Sequence, residues 1–237
     1  MIRQRIAAVL LLWPVAAAAQ SCVLPPQVTN WRFETRGDGD PRAPVDSYIL
    51  ALSWSPTYCA GARERGLNAD SRHQCAANQF GLVVHGLWPS WSQARSLEDQ
   101  PAYCRPSQRL DPALVRAQMC RLPGATLVQH QWSKHGVCGF SSPQAYFATI
   151  DRLVAGLRLP ALAALHSPGE RTTAGAIRAA FTRANPALPR DAIMIDLDRR
   201  GRLDEVRLCL DRSLRWSACT RRGAPDRVAV AVPPIRD

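Results

Sequence analysis

The sequence predicts an α+β fold: an antiparallel sheet core with packed helices, stabilised by disulfides. Three observations predict it. Short apolar strands are separated by irregular helices rather than by a regular βα repeat. Near the C-terminus "AIMIDL" (192–197) and "LDEVRLCL" (203–210) flank a turn at Asp198 to Arg202 with Gly201, which reads as a hairpin. Eight cysteines, an even number, follow an export-type N-terminus.

The elements follow in chain order. Arg3 and Arg5 form a positive start, Ile6 to Ala16 is apolar, and Ala17-Ala18-Ala19 supplies small residues for cleavage. Residues 1–19 therefore read as a signal peptide, cut near Ala19. Cys22 lies close by, but Gln20-Ser21 before it fits a lipidation site poorly. No later run reaches the ~18 apolar residues of a membrane span. Residues 20–46, rich in Pro, Gly and charge, read as an irregular lead-in. Residues 47–237 show no linker or repeat and suffice for one sizeable core, so a single domain is expected. "YILALSW" (48–54) is a buried strand, stopped by Pro56, and "FGLVVHGLW" (80–88) is a second, ended by Pro89. Residues 89–111, broken by Pro101 and Pro106, form a long loop. Helices are predicted over 112–122, with Pro112 in the first turn, over 144–157, with Ser142 as N-cap, and over 172–185, ended before Pro186. "VAVAV" (228–232) is a last short strand.

The formal charge is +11 with pI near 10.0; less the two arginines of the leader it is +9. A basic surface attracts polyanions such as nucleic acid, but charge alone does not locate a groove. The absence of any Cys-x-x-Cys pair argues against a zinc ribbon or a thioredoxin-like centre.

The chemistry sits in "LVQHQWSKHGVC" (127–138). Of 30 basic side chains, Lys134 is the only lysine, and it stands beside His135. On an α-helix, His130, Gln131, Lys134 and His135 fall at about 0°, 100°, 40° and 140°, a single polar face, with Trp132 turned towards packing. Histidine moves protons near neutral pH, lysine is a compact cation suited to phosphate oxygens, and glutamine donates without adding charge. The set suits attack on a phosphodiester, where a hydroxyl loses a proton and charge develops on phosphate oxygens. A second proton carrier is then needed for the leaving oxygen. His85 answers this, at the end of a strand in "VVHGLWP", with Gly86 permitting close approach and Trp88 offering a face for stacking. Taken singly, Trp88, Trp91 and Trp132 read as packing residues. His73 and His166 lie in polar, turn-like surroundings and receive no role. A zinc site through His85, His130 and His135 is a rival. Against it, His130 and His135 are five apart, and Gln131 stands where a zinc protease needs Glu. No metal or cofactor is expected.

These residues carry a resemblance. "VVHGLWPSW" and "LVQHQWSKHGVC" resemble the two active-site segments of the T2 family of secreted ribonucleases, roughly His-Gly-Leu-Trp-Pro and His-Glu-Trp-x-Lys-His-Gly-x-Cys. "LALSWSPTYC", "YFATIDRL" and "AFTRANPALPRDAIMI" with "LDEVRLCL" are similar to further parts of the family in its order, so the likeness runs from about Tyr48 to Cys219. It implies an α+β ribonuclease T2-like fold and metal-independent cleavage of single-stranded RNA. In that reaction the 2′-OH attacks phosphorus to give a 2′,3′-cyclic phosphate, later hydrolysed to a 3′-phosphate. By motif position His135 is the general base, His85 the general acid, His130 a phosphate holder and Lys134 the stabiliser of charge at phosphorus. Trp88 stacks on a base. Gln131 stands where many members have Glu, and Ser90 where some have an Asp that influences base choice. The alternative is a catalytically weak RNA-binding or host-interacting protein on the same scaffold. The protein is expected to be a periplasmic or secreted monomer that cleaves no DNA and binds no membrane. The resemblance also implies Cys104–Cys138; local spacing suggests Cys59–Cys75 and Cys209–Cys219, leaving Cys22–Cys120 by elimination.

Overall fold

The computed structural model describes residues 22–165 and 171–235. The predicted signal peptide (1–19) and His166 lie outside the described residues. A four-stranded antiparallel sheet forms the centre, in the order β2-β1-β5-β4, built from β1 (Ser47–Trp54), β2 (Leu82–Ser90), β4 (Ile193–Leu197) and β5 (Leu203–Asp211). A minor pair joins β3 (Thr172–Thr173) to β6 (Ala229–Val230).

The two faces of the sheet differ in chemistry. Leu50 and Leu52 of β1 pair with Leu208 and Val206 of β5 and with Leu87 and Val84 of β2; all are buried in the core. Each such side chain contributes about 1.5–3 kcal/mol through burial. The opposite face carries Ser53 beside Glu205, Ala51 beside Arg207 and Gly86, and Asp196 beside Glu205.

A β-bulge reconciles these faces on β2. Ala51 pairs with Gly86 and Leu52 with Val84, so His85 is an extra residue with no cross-strand partner. In a regular strand Val84 and Leu87, three apart, would point to opposite sides. The bulge lets both enter the core. It also lets His85 and Trp88, again three apart, share the polar face.

The helices are set by local caps. α1 (Ser55–Arg65) starts directly after β1 and carries Pro56 in its first turn, and α2 (Ala69–Cys75) starts from a reciprocal Asn68–Ser71 capping box. Neither helix was anticipated. Pro56 ends the strand but also opens a helix, since a proline costs nothing where no helical N–H bond exists. Asp111 caps α3 (Pro112–Gln118), Ser142 caps α6 (Pro143–Ala155), and Thr173 caps α7 (Ala174–Ala184). α3 is shorter than the predicted 112–122. Pro89 does not end β2, which runs to Ser90. β2 is an edge strand, where a missing N–H is tolerated.

Disulfides pair Cys22 with Cys120, Cys59 with Cys75, Cys104 with Cys138, and Cys209 with Cys219. Cys59–Cys75 staples α1 to α2. Cys104–Cys138 pins the long loop to the helical segment that carries the histidine motif.

Candidate active site

That segment is not one uniform helix. α4 (Ala125–His130) passes into a π-helical stretch, Gln131–Gly136, and closes with α5 (Val137–Gly139). The 100°-per-residue wheel therefore fails beyond His130. Gln131 does not share an exposed face with its neighbours: it is 1% exposed and abuts Gly86 of β2. Its Oε1 accepts the indole N–H of Trp88 at 2.9 Å. Trp132 is buried and packs on Tyr146 in the core. Wide π turns recur at functional sites. Here Tyr103 of the long loop donates its N–H to the Lys134 carbonyl at 2.8 Å.

Trp88 is the hub of the cluster. Its ring centre lies 5.1 Å from that of His85, edge-on, and 5.6 Å from that of His135; the Arg207 guanidinium stands over it at 5.1 Å. His130 and His135 meet edge to face at 6.3 Å. The structure thus brings His85, Trp88, His130, Gln131, Lys134 and His135 together across β2 and the helical segment. It does not bring Ser90 there. Ser90 is buried at the far end of β2, donates its hydroxyl to the Trp88 carbonyl, and lines a separate cavity of about 260 Å³ with Asp46 and Trp91.

Electrostatics separate the histidines. Burial holds His135 well below its ordinary pKa, reinforced by the charges of Lys134, His130 and His85. It is therefore neutral at ordinary pH, and among the described residues its buried Nδ1 has no hydrogen-bond partner. His130 is lowered by burial and Lys134, partly offset by Glu34, whose Oε2 lies 3.8 Å from Nδ1. His85 differs, because its Nδ1 lies 2.5 Å from Oε1 of Glu205. Burial pushes that carboxyl up. The hydrogen bond and charge of His85, with the Arg207 guanidinium, overcome burial and hold Glu205 at about 2. An ionised carboxylate only accepts, so the His85 Nδ1 carries a proton. Among the described residues Lys134 has no ion-pair partner, so its charge is uncommitted.

Two participants escaped the sequence reading. Glu34 comes from the lead-in, which is held along α4 by the Trp31 indole donating to Gln129 Oε1 at 3.1 Å. Glu205 lies 120 positions from His85. Nothing local marks it, since Asp204 and Asp211 are carboxylates on the same strand. A cleft of about 330 Å³ opens beside His85 and His130, lined also by Arg32, Tyr58 and Thr126. A larger cavity of about 760 Å³ lies among Arg178, Arg190 and Asp226 and contains no histidine. Among the described residues no three His, Cys, Asp or Glu side chains are grouped to hold a metal ion.

The profile of the family described as Ribonuclease T2 family matches residues 45–219. A "Probable ribonuclease" of Haemophilus influenzae is 45% identical over 124 residues, covering 50% of this chain and 46% of that protein. Ribonuclease I of Escherichia coli is 30% identical over 177 residues, covering 60% and 63%. The chain thus spans about half to under two thirds of the length of these curated relatives. Among solved structures, an RNase-related protein from Calystegia sepium superposes with a TM-score of 0.61 at 20% identity, covering 82% of this chain and all of that one. RNase NT, in complex with 5′-AMP, gives 0.54 at 21% identity, covering 79% and 98%.

Proposed function

The chain belongs to the ribonuclease T2 family, and from that premise we propose that it is an exported endoribonuclease that cleaves single-stranded RNA without a metal. The observation that carries the reading is the division of labour in the cluster. A neutral His135 and an Nδ1-protonated His85 flank Trp88, beside a lysine with no ion-pair partner among the described residues.

His135 Nε2 takes the proton of the ribose 2′-OH as that oxygen attacks phosphorus. The bond from phosphorus to the 5′-oxygen breaks, and His85 Nε2 delivers its proton to the leaving oxygen. The product is a 2′,3′-cyclic phosphate. Water then opens it to a 3′-phosphate, with the two histidines in exchanged roles. Lys134 stabilises charge growing on the non-bridging oxygens, and His130 holds the phosphate. Gln131 supports the site by fixing Trp88, whose half-buried ring offers a base a surface to stack on. The Gln131 oxygen that accepts from Trp88 has an equivalent in glutamate, so Gln131 does not favour the weak-binder alternative.

DNA lacks the 2′-OH nucleophile and is not cut. We place the protein in the periplasm or outside the cell, where its disulfides persist, as a single-domain monomer. The test is incubation with RNA and with DNA in EDTA, followed by analysis of product ends. Cyclic-phosphate ends on RNA alone are expected. Equal cleavage of DNA, or abolition of RNA cleavage by EDTA, overturns the reading.

A further inference from the structure

We propose that Glu205 is the positioning residue for His85: from the inner strand β5 it holds the proton on Nδ1, aims Nε2 at the leaving oxygen and stabilises the imidazolium. The inference rests on the reading above, in which His85 is the general acid.

Three observations converge. First, His85 needs an external anchor. It is the unpaired bulge residue of an edge strand, and its side chain is 37% exposed. Its backbone does not fix its ring, and apart from the edge contact with Trp88 the hydrogen bond to Glu205 is what orients it. Second, Glu205 is itself rigid. Its side chain is 7% exposed; Oε1 accepts from the Ser53 hydroxyl at 3.0 Å as well as from His85, and Oε2 accepts from Arg207 Nε at 2.8 Å. Donors from β1, from β2 and from its own strand hold the carboxylate in one orientation. Third, Glu205 is not the sole carboxylate beside Arg207. Asp196 on β4 stands 3.0 Å from the same guanidinium nitrogen. Burying a carboxylate for structure alone is a poor use of a sheet position, since apolar residues of similar volume stabilise as well or better. A buried carboxylate hydrogen-bonded to a proton-transferring histidine is instead the arrangement that fixes tautomer and orientation in acid–base catalysis.

Glu205→Gln tests this nearly isosterically. Arg207 Nε–H demands the amide oxygen, so the –NH₂ group turns towards His85. Nδ1 must then accept, and the ring proton moves to Nε2 with the imidazolium disfavoured. On a dinucleotide, kcat should fall about 10²-fold or more, the usual worth of a placed acid, with KM changed by less than about threefold because substrate binding is not touched. On a uridine 3′-(4-nitrophenyl phosphate), whose leaving group needs no proton, the deficit should shrink towards unity. A fold defect would depress both substrates alike. Adding Glu205→Gln to His85→Ala should cost nothing further. Nitrogen-15 NMR of the wild type should find the neutral His85 ring protonated on Nδ1, and of Glu205→Gln on Nε2.

A neutral wild-type ring protonated on Nε2 rather than on Nδ1 overturns the proposal without any variant. So does a Glu205→Gln enzyme within about threefold of wild type on the dinucleotide, or equal losses on both substrates. The function reading fails separately, if wild type does not turn over RNA or if His85→Ala is fully active.

Discussion

Gly86→Ala is the perturbation that most directly probes how β2 and the π-helical segment are fitted together. Gly86 follows the bulge, and it is not among the glycines with positive φ, so alanine is conformationally allowed there. Space is the obstacle. An added Cβ would stand 1.9 Å from Gln131 Oε1 and 2.6 Å from both Gln131 Cδ and Trp88 Nε1. Ordinary carbon contacts lie at about 3.5–4.0 Å, so the Gln131 amide must retreat by roughly 1.5 Å and its bond to Trp88 is lost. Overpacking costs about 1–3 kcal/mol and the unmade hydrogen bond about 1 kcal/mol more, giving a loss of stability of about 2–4 kcal/mol. Trp88 touches both His85 and His135, so its displacement should also slow cleavage. A misplacement on the order of 1 Å costs about 10²-fold. Denaturant unfolding and single-turnover cleavage read the two effects. Gln131→Ala removes the nearest clashing atoms, so Gly86→Ala should cost less in that background, with a coupling of about 0.5–3 kcal/mol. Wild-type stability and rate in Gly86→Ala, or strict additivity with Gln131→Ala, would refute the reasoning.

The pH–rate profile should be bell-shaped, with its acidic limb displaced to low pH because burial, Lys134 and the other histidines keep His135 neutral; a rate independent of pH counts against the pair. Stability should follow the same signs. Protonation of His135 in the unfolded chain costs stability as pH falls below about 6.5, and the contribution of Glu205 is complete above about 4.5 and lost as pH falls towards about 2, both read by melts across pH. Lys134→Ala should slow single-turnover cleavage about 10²–10³-fold, Gln131→Ala about tenfold or less through one lost hydrogen bond, and Gln131→Glu should stay active; an inactive wild type rescued by Gln131→Glu would instead support the binding-protein alternative. Replacing Cys104 and Cys138 by alanine opens a loop of 34 residues and should cost about 3–4 kcal/mol on the chain-entropy model, with a disproportionate loss of activity because the disulfide holds the long loop to the catalytic segment; an unchanged unfolding midpoint contradicts this.

Features encoded between near neighbours were legible in the amino-acid sequence. The hairpin around Gly201, the Ser142 cap and the strand beginning at Tyr48 are set by residues within a turn or two, and so is the grouping of His130, Gln131, Lys134 and His135. Motif spacing was enough to join His85 to that group through the family resemblance. The remaining features depend on contacts between distant segments. The bulge at His85 is invisible in "VVHGLWP" because apolar residues on both sides of it satisfy either phase of the strand. Pairing with Ala51 and Leu52 selects the phase that puts Leu87 in the core and Trp88 in the site. The π-helical turns depend on contacts with Gly86, Trp88 and the loop at Tyr103, none of them local to 131–136. Glu205 and Glu34 reach the histidines from 120 and 96 positions away. Pro89 read as a strand terminator because sequence does not say that its strand lies at an edge. Local chemistry specifies turns, caps and candidate groups. The orientation of each proton carrier is settled by partners that meet only when the sheet closes.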